Sequence, residues 1–228
     1  QKPKDKIFFN AENFYAGSIA SVSKAKKWAV GCIKDKLNIC EDVRKNISLP
    51  GEHNFKNALM AATIALNLDI DKDKILKVIK SFKGLEHRIE FVKNIKNVYF
   101  YNDSASTNPE TTVAALKSFK ERKILIAGGK DKNLNYHSWN NIIKKNNVST
   151  IMLFGENKQK IFESIKGCGS AIRLEKNLEK ALRHSYEVAD KEKEKVVILF
   201  SPGSASFDMF KDYKDRGGTF KKLVNMIK

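Results

Sequence analysis

The sequence predicts an α/β protein whose larger, second part is a doubly wound, mostly parallel sheet. From residue 89 onward, apolar runs of strand length alternate with single helical stretches, and strands joined through single helices pair in parallel by right-handed crossovers. Two of these runs, Ile124-Leu125-Ile126-Ala127 and Val196-Val197-Ile198-Leu199-Phe200, lack the polar alternation of a strand with one wet face. They belong at the centre of a sheet covered on both sides. Before residue 84 the pattern differs, with two apolar helices in succession that Lys83-Gly84-Leu85 interrupts. A chain of 228 residues is long enough for two small domains, and the division is expected as 1–84 and 85–228.

In chain order, residues 6–10 read as a short strand and the stretch to Ala20 as helix-compatible. Residues 27–30 and 37–40 read as two strands joined by a turn at Lys34-Asp35-Lys36. Ala58, Leu59, Ala62, Ile64, Ala65 and Leu68 make a broadly apolar helix. A second helix carries Ile75, Leu76, Val78, Ile79 and Phe82 on one face, with Asp71 as its N-cap and Gly84 suited to its C-cap. Strands then follow at 89–92, 98–101, 123–127, 150–154, 171–174 and 196–200. Helices are expected at 109–119, 139–144, 158–165 and 178–189, and a last one from Gly218 onward.

Composition removes several classes. The longest nearly uncharged apolar stretch, residues 58–68, is far short of the ~20 residues of a membrane-spanning helix. The start Gln1-Lys2-Pro3-Lys4-Asp5-Lys6 has neither an initiator Met nor a secretion signal, so a cytoplasmic chain cut from something longer is expected. Three cysteines, Cys32, Cys40 and Cys168, stand in no C-x-x-C pattern, and neither a disulfide nor a zinc site is expected. The net charge of +17 comes from 43 basic residues, of which six are Arg and 37 Lys, scattered among acids. A solvated basic surface is favoured over a nucleic-acid face, which would draw on Arg.

Ligands of such sheets bind beyond the carboxyl ends of the strands. Those ends are Asn102-Asp103-Ser104, Gly128-Gly129-Lys130-Asp131-Lys132, Gly155-Glu156 and Ser201-Pro202-Gly203-Ser204-Ala205-Ser206. The glycine pair permits a tight turn, after which Lys130 and Lys132 suit a carboxylate or phosphate. The serine-rich loop reads either as an anion site or as a helix start capped by Ser204 or Ser206. The segment Asp103 to Asn108 likewise reads either as part of such a site or only as a cap before Pro109 at the first helical turn. By chemistry alone this is an anion-binding α/β domain.

Four ordered segments carry more. They are Leu49-Pro50-Gly51-Glu52-His53-Asn54-Phe55-Lys56-Asn57-Ala58, Phe82-Lys83-Gly84-Leu85-Glu86-His87-Arg88-Ile89-Glu90, Tyr101-Asn102-Asp103-Ser104 with Thr107-Asn108-Pro109, and Ser201-Pro202 with Ala205-Ser206-Phe207-Asp208-Met209-Phe210 and Arg216-Gly217. Together they resemble the Mur ligase family of peptidoglycan synthesis over nearly the whole chain, the last two segments pointing to a member that uses D-glutamate. The resemblance implies the end of a central α/β ATPase domain followed by a Rossmann-like amino-acid-binding domain. It implies ATP-dependent joining of D-glutamate to UDP-N-acetylmuramoyl-L-alanine through an acyl phosphate. The family's G-x-x-G-K-T/S loop is not found in these residues. Its magnesium ligands are expected upstream, so the chain alone is expected to be inactive and, as a protein, monomeric, with no nucleic acid or membrane as partner.

By the same resemblance, Asn57 matches a contact to the ATP base, Arg88 a position near the phosphates, and Asp103 a ribose contact. Lys132 matches the lysine that pairs with a D-glutamate carboxylate, and Thr107, Ser206, Phe207 and Tyr213 the rest of that pocket. No side chain is expected to act as a nucleophile, and His53 and His87 read as structural before catalytic. One departure is Ala105, where the family usually has Lys; either one contact near the reacting groups is absent, or another lysine such as Lys130 supplies it. A sibling ligase for another amino acid and a basic binding module without chemistry are the alternatives.

Overall fold

The computed structural model describes residues 2–32 and 37–227, and the chain divides into two compact units, Gln1–Lys83 and Gly84–Lys228. In the first unit, strands β1 (Lys6–Asn10) and β2 (Lys26–Val30) pair in parallel, with helix α1 (Phe14–Ser21) as the crossover. Helices α2 (Cys40–Asn46), α3 (Glu52–Leu66) and α4 (Lys72–Ser81) follow. Val30, Ile39, Val43, Phe55, Leu59, Ala62 and Ile75 form its core. As expected, the Asp71 side chain caps α4, accepting from the Lys74 N–H. Gly84, at φ 90°, stands two residues beyond the actual cap, Phe82.

Three expectations for this unit are corrected. Residues 37–40 are not a strand: Cys40 opens α2, whose Glu41 and Asp42 lie in the first turn and Arg44 and Lys45 in the last, the charge order that a helix dipole favours. The partner of β2 is therefore β1 rather than a hairpin strand; the expected turn at Lys34-Asp35-Lys36 lies outside the described residues. Cys32 and Cys40 are joined by a disulfide with their Cα atoms 5.4 Å apart, a separation such a bond requires. The start of α2 brings Cys40 back to the end of β2, which cysteine count and spacing alone do not reveal.

The second unit is a six-stranded sheet in the order β3-β4-β8-β5-β6-β7. Its strands are β3 (Glu90–Ile95), β4 (Val98–Asn102), β5 (Arg122–Ala127), β6 (Val148–Leu153), β7 (Ala171–Leu174) and β8 (Val196–Phe200). Only β3 runs antiparallel to its neighbour. Helices α5 (Pro109–Leu116), α6 (His137–Lys145), α7 (Lys158–Ile165), α8 (Leu178–Ala189) and α9 (Tyr213–Met226) cover it. Along β5, Leu125 and Ala127 pack with Leu116, Trp139, Ile143 and Ile161 of α5, α6 and α7. Ile124 and Ile126 point the other way, to Leu178 and Leu182 of α8 and Phe220 and Val224 of α9. Both faces are thus buried, as the uniform apolar strands predict.

The last helix starts at Tyr213, not Gly218: Asp212 caps it by accepting from the N–H groups of Lys214 and Asp215. The Gly217-Gly218 pair lies inside α9, and residue 217 is glycine because a side chain there would collide with the His87 ring. Nor does a helix begin at Ser204 or Ser206; that segment is irregular. Among the described residues no helix is long and apolar enough to cross a membrane.

Candidate functional site

Because β8 lies between β4 and β5, the loops leaving these three strands emerge side by side. The Asp103 N–H donates to the Phe200 carbonyl at 2.7 Å, and the Ser201 N–H to that of Ile126 at 3.1 Å. The Asp103 carboxylate is only 3% exposed. One of its oxygens accepts from the hydroxyls of Ser106 (2.5 Å) and Ser201 (2.7 Å), the other from the Ile89 N–H (3.2 Å). Burial pushes its pKa up to about 6, against the pull of these hydrogen bonds and of the Arg88 charge. The Ile89 contact pins a segment in which His87 (φ 65°) and the β-branched Ile89 (φ 45°) both adopt left-handed backbone, a costly conformation that its surroundings must hold. Arg88, between them, is exposed.

The glycine turn after β5 forms as expected. Gly128 and Gly129 have φ of 112° and 156°, and a side chain at Gly128 would strike the Phe154 carbonyl. The Gly128 N–H reaches the Pro202 carbonyl and the Lys130 N–H that of Ala205, both at 2.9 Å. This strap places Lys132 beside the serine-rich loop, its ammonium 5.5 Å from the Phe207 ring centroid. Lys132 and Phe207 are exposed, whereas Ser206 is buried and its carbonyl accepts from the N–H groups of Met209 and Phe210. Thr107 is half-buried, ahead of Asn108, whose side chain caps α5 by accepting from the Thr111 N–H at 3.0 Å.

Tyr213 is 37% exposed, and its ring lies edge-on to His87 at 6.2 Å. His87 is buried, with Nδ1 2.9 Å from the Asn102 amide nitrogen. Ala105, at the departure from the family pattern, donates its N–H to the His87 carbonyl at 2.9 Å. The substitute cation Lys130 is paired with Glu156 at 2.6 Å. Glu86, His87 and Glu90 have the donor types of a metal site, but the Lys221 ammonium already bridges both carboxylates, at 2.6 and 2.9 Å.

In the first unit, Asn57 is exposed on α3 and lines a cavity of about 160 Å³ together with Asn10, Arg44, Phe55 and Lys56. There Arg44 stacks over the Phe55 ring at 3.8 Å, and Lys56 pairs with Glu12. His53 lies in the first turn of α3.

Several residues of the second site have no signal in strand or loop pattern. Arg216 is fully buried, and burial draws its pKa down to about 10 against the field of Asp208. Asn157, also buried, accepts the Gly129 N–H at 2.9 Å and donates to the hydroxyls of Ser204 and Tyr136 at 2.8 and 2.9 Å. A signal for Arg216 does exist in the sequence: it precedes Phe220 and Val224 at four-residue spacing, which puts a charge on the core stripe of a helix.

A family model described as "Mur ligase, glutamate ligase domain" matches residues 87–203. The UDP-N-acetylmuramoylalanine--D-glutamate ligase of Caldicellulosiruptor saccharolyticus is 42% identical over 185 residues, covering 81% of this chain and 40% of that protein. Its namesake in Acetivibrio thermocellus is 43% identical over 190 residues, covering 80% of this chain and 40% of that protein. The chain thus spans about 40% of the length of these curated relatives. A crystal structure of MurF from Acinetobacter baumannii shares the fold, with a TM-score of 0.67 at 15% identity over 95% of this chain and 52% of that one.

Proposed function

The chain belongs to the Mur ligase family, and from that premise we propose that it is part of the ligase that joins D-glutamate to UDP-N-acetylmuramoyl-L-alanine at the expense of ATP. Residues 1–84 are then the end of the ATP-binding domain and 85–228 the amino-acid-binding domain. The observation that carries this reading is the placement of Lys132 against Phe207, beside Ser206, where the loops of β5 and β8 meet. A dicarboxylate amino acid needs a cation and hydroxyl donors, and this corner offers both.

In this reading the Lys132 ammonium pairs with a D-glutamate carboxylate, Thr107 and Ser206 supply hydroxyls, and Phe207 and Tyr213 wall the pocket. The amine of D-glutamate attacks an acyl phosphate on the L-alanine carboxyl, forming the amide and expelling phosphate. The chain's own residues bind and orient; none serves as a nucleophile, so positioning and charge neutralisation supply the rate. For ATP, Asn57 and Arg88 are each exposed, as a nucleotide contact at either position requires. Asp103 fits less directly: it is buried and its carboxylate already accepts three hydrogen bonds, which leaves a ribose hydroxyl only the second lone pair of the oxygen that the Ile89 N–H holds.

The test uses the full-length polypeptide that contains this chain, with ATP and UDP-N-acetylmuramoyl-L-alanine. Phosphate release is expected to require D-glutamate and to fail with L-glutamate, D-glutamine or D-alanine. Equal turnover with a neutral amino acid overturns the reading.

A further inference from the structure

Arg216 is wholly buried, yet among the described residues no carboxylate forms an ion pair with it; its hydrogen-bond partners are all neutral. A buried charge without an ion-pair partner is an expensive occupant for a position on the stripe of Phe220 and Val224. Its Nε donates to the Ser104 hydroxyl at 3.0 Å, Nη2 to the Ser104 carbonyl at 2.9 Å and Nη1 to the Ser204 carbonyl at 2.9 Å. From Ser104 the connection continues, since its hydroxyl donates to the Tyr213 carbonyl at 2.8 Å. From Ser204 it continues through Asn157 to the Gly129 N–H.

One guanidinium therefore joins four segments: the loop after β4 that leads to Thr107, the loop after β8 that leads to Ser206, the first turn of α9 with Tyr213, and the turn that carries Lys132. Resting on the reading of these segments as an amino-acid pocket, we infer that Arg216 is a positioning residue that sets their mutual register. The planar fork suits the task because it holds two carbonyls of different loops at once; a lysine ammonium has no such fixed geometry.

The test compares Arg216→Lys, Arg216→Gln and the milder Ser104→Ala in the full-length protein. The amino-acid KM is expected to rise about tenfold or more in Arg216→Gln, with partial recovery in Arg216→Lys, while the ATP KM stays within about twofold. Ser104→Ala, which keeps the guanidinium, is expected to raise the same KM. A role in folding alone lowers kcat through the active fraction and leaves the amino-acid KM unmoved; that result overturns the inference. Amide hydrogen exchange on the 228-residue chain gives a readout that needs no substrate. Arg216→Lys is expected to speed exchange at Gly129 and Lys130 while Ile151 and Met152 stay slow. Faster exchange confined to α9 overturns the inference. If the wild-type enzyme does not use D-glutamate, the functional reading falls, and the exchange result decides the role of Arg216 by itself.

Discussion

Lys132 owes its proposed role to an exposed ammonium held beside an exposed aromatic ring. A charge-assisted contact to a carboxylate contributes about 1.5–3 kcal/mol. Lys132→Ala in the full-length enzyme is accordingly expected to raise the D-glutamate KM roughly 10- to 150-fold and to leave the ATP KM nearly unchanged; steady-state kinetics varying each substrate checks it, and an unmoved D-glutamate KM removes Lys132 from the pocket. Asp103 makes a prediction of opposite character. Its folded pKa is raised from 3.8 to about 6, so the folded state binds its proton more tightly than the unfolded chain does. Its contribution to stability is therefore full below about pH 4 and is lost as pH rises through about 6. A shift of this size is worth at most about 3 kcal/mol. Relative to Asp103→Asn, the wild-type chain is expected to gain stability as the pH is lowered from about 7 to about 5 in urea unfolding. A difference that does not change with pH contradicts the enclosed carboxylate.

At the scale of elements, helix α9 holds two adjacent glycines with opposite demands. A side chain at Gly217 meets the buried His87 ring, whereas at Gly218 it meets nothing within 4 Å. Gly217→Ala is expected to destabilise the chain by about 1–3 kcal/mol through overpacking. Gly218→Ala is expected to stabilise it by up to about 1 kcal/mol through helix propensity. Thermal unfolding of the two variants checks both signs, and equal shifts contradict the packing of α9 on His87. The same pair shows where sequence reading stops. The strands β5 and β8 are legible because an unbroken apolar run has one environment that suits it, and the Asp71 and Asn108 caps because their signal is local. The start of α9 is not, because whether a glycine breaks a helix or admits a neighbour depends on a residue more than a hundred positions away. Short α2 is masked by its own charges, and the Cys32–Cys40 bond depends on the fold of that helix.

For the whole molecule, the carboxyl-end rule and the strand order locate the candidate site: the insertion of β8 between β4 and β5 gathers Asp103, Lys132 and Ser206 into neighbouring loops. What the sequence does not display is the buried wiring beneath: Arg216 is marked by its place on the core stripe of α9, but its partners and Asn157 are not, since these pairings join segments that no local pattern relates. The 228 residues also contain no G-x-x-G-K-T/S segment, and the chain alone is expected to release no phosphate from ATP in the presence of both other substrates; release by the purified chain contradicts the proposal that it is only part of the ligase. The most direct measurement of the central claim is an amide chemical-shift titration of the 228-residue chain with D-glutamate and, separately, L-glutamate at millimolar concentration. The account predicts D-specific shifts concentrated at residues 103–107, 128–132 and 201–207. Shifts that are absent, equal for the two enantiomers, or centred elsewhere contradict it.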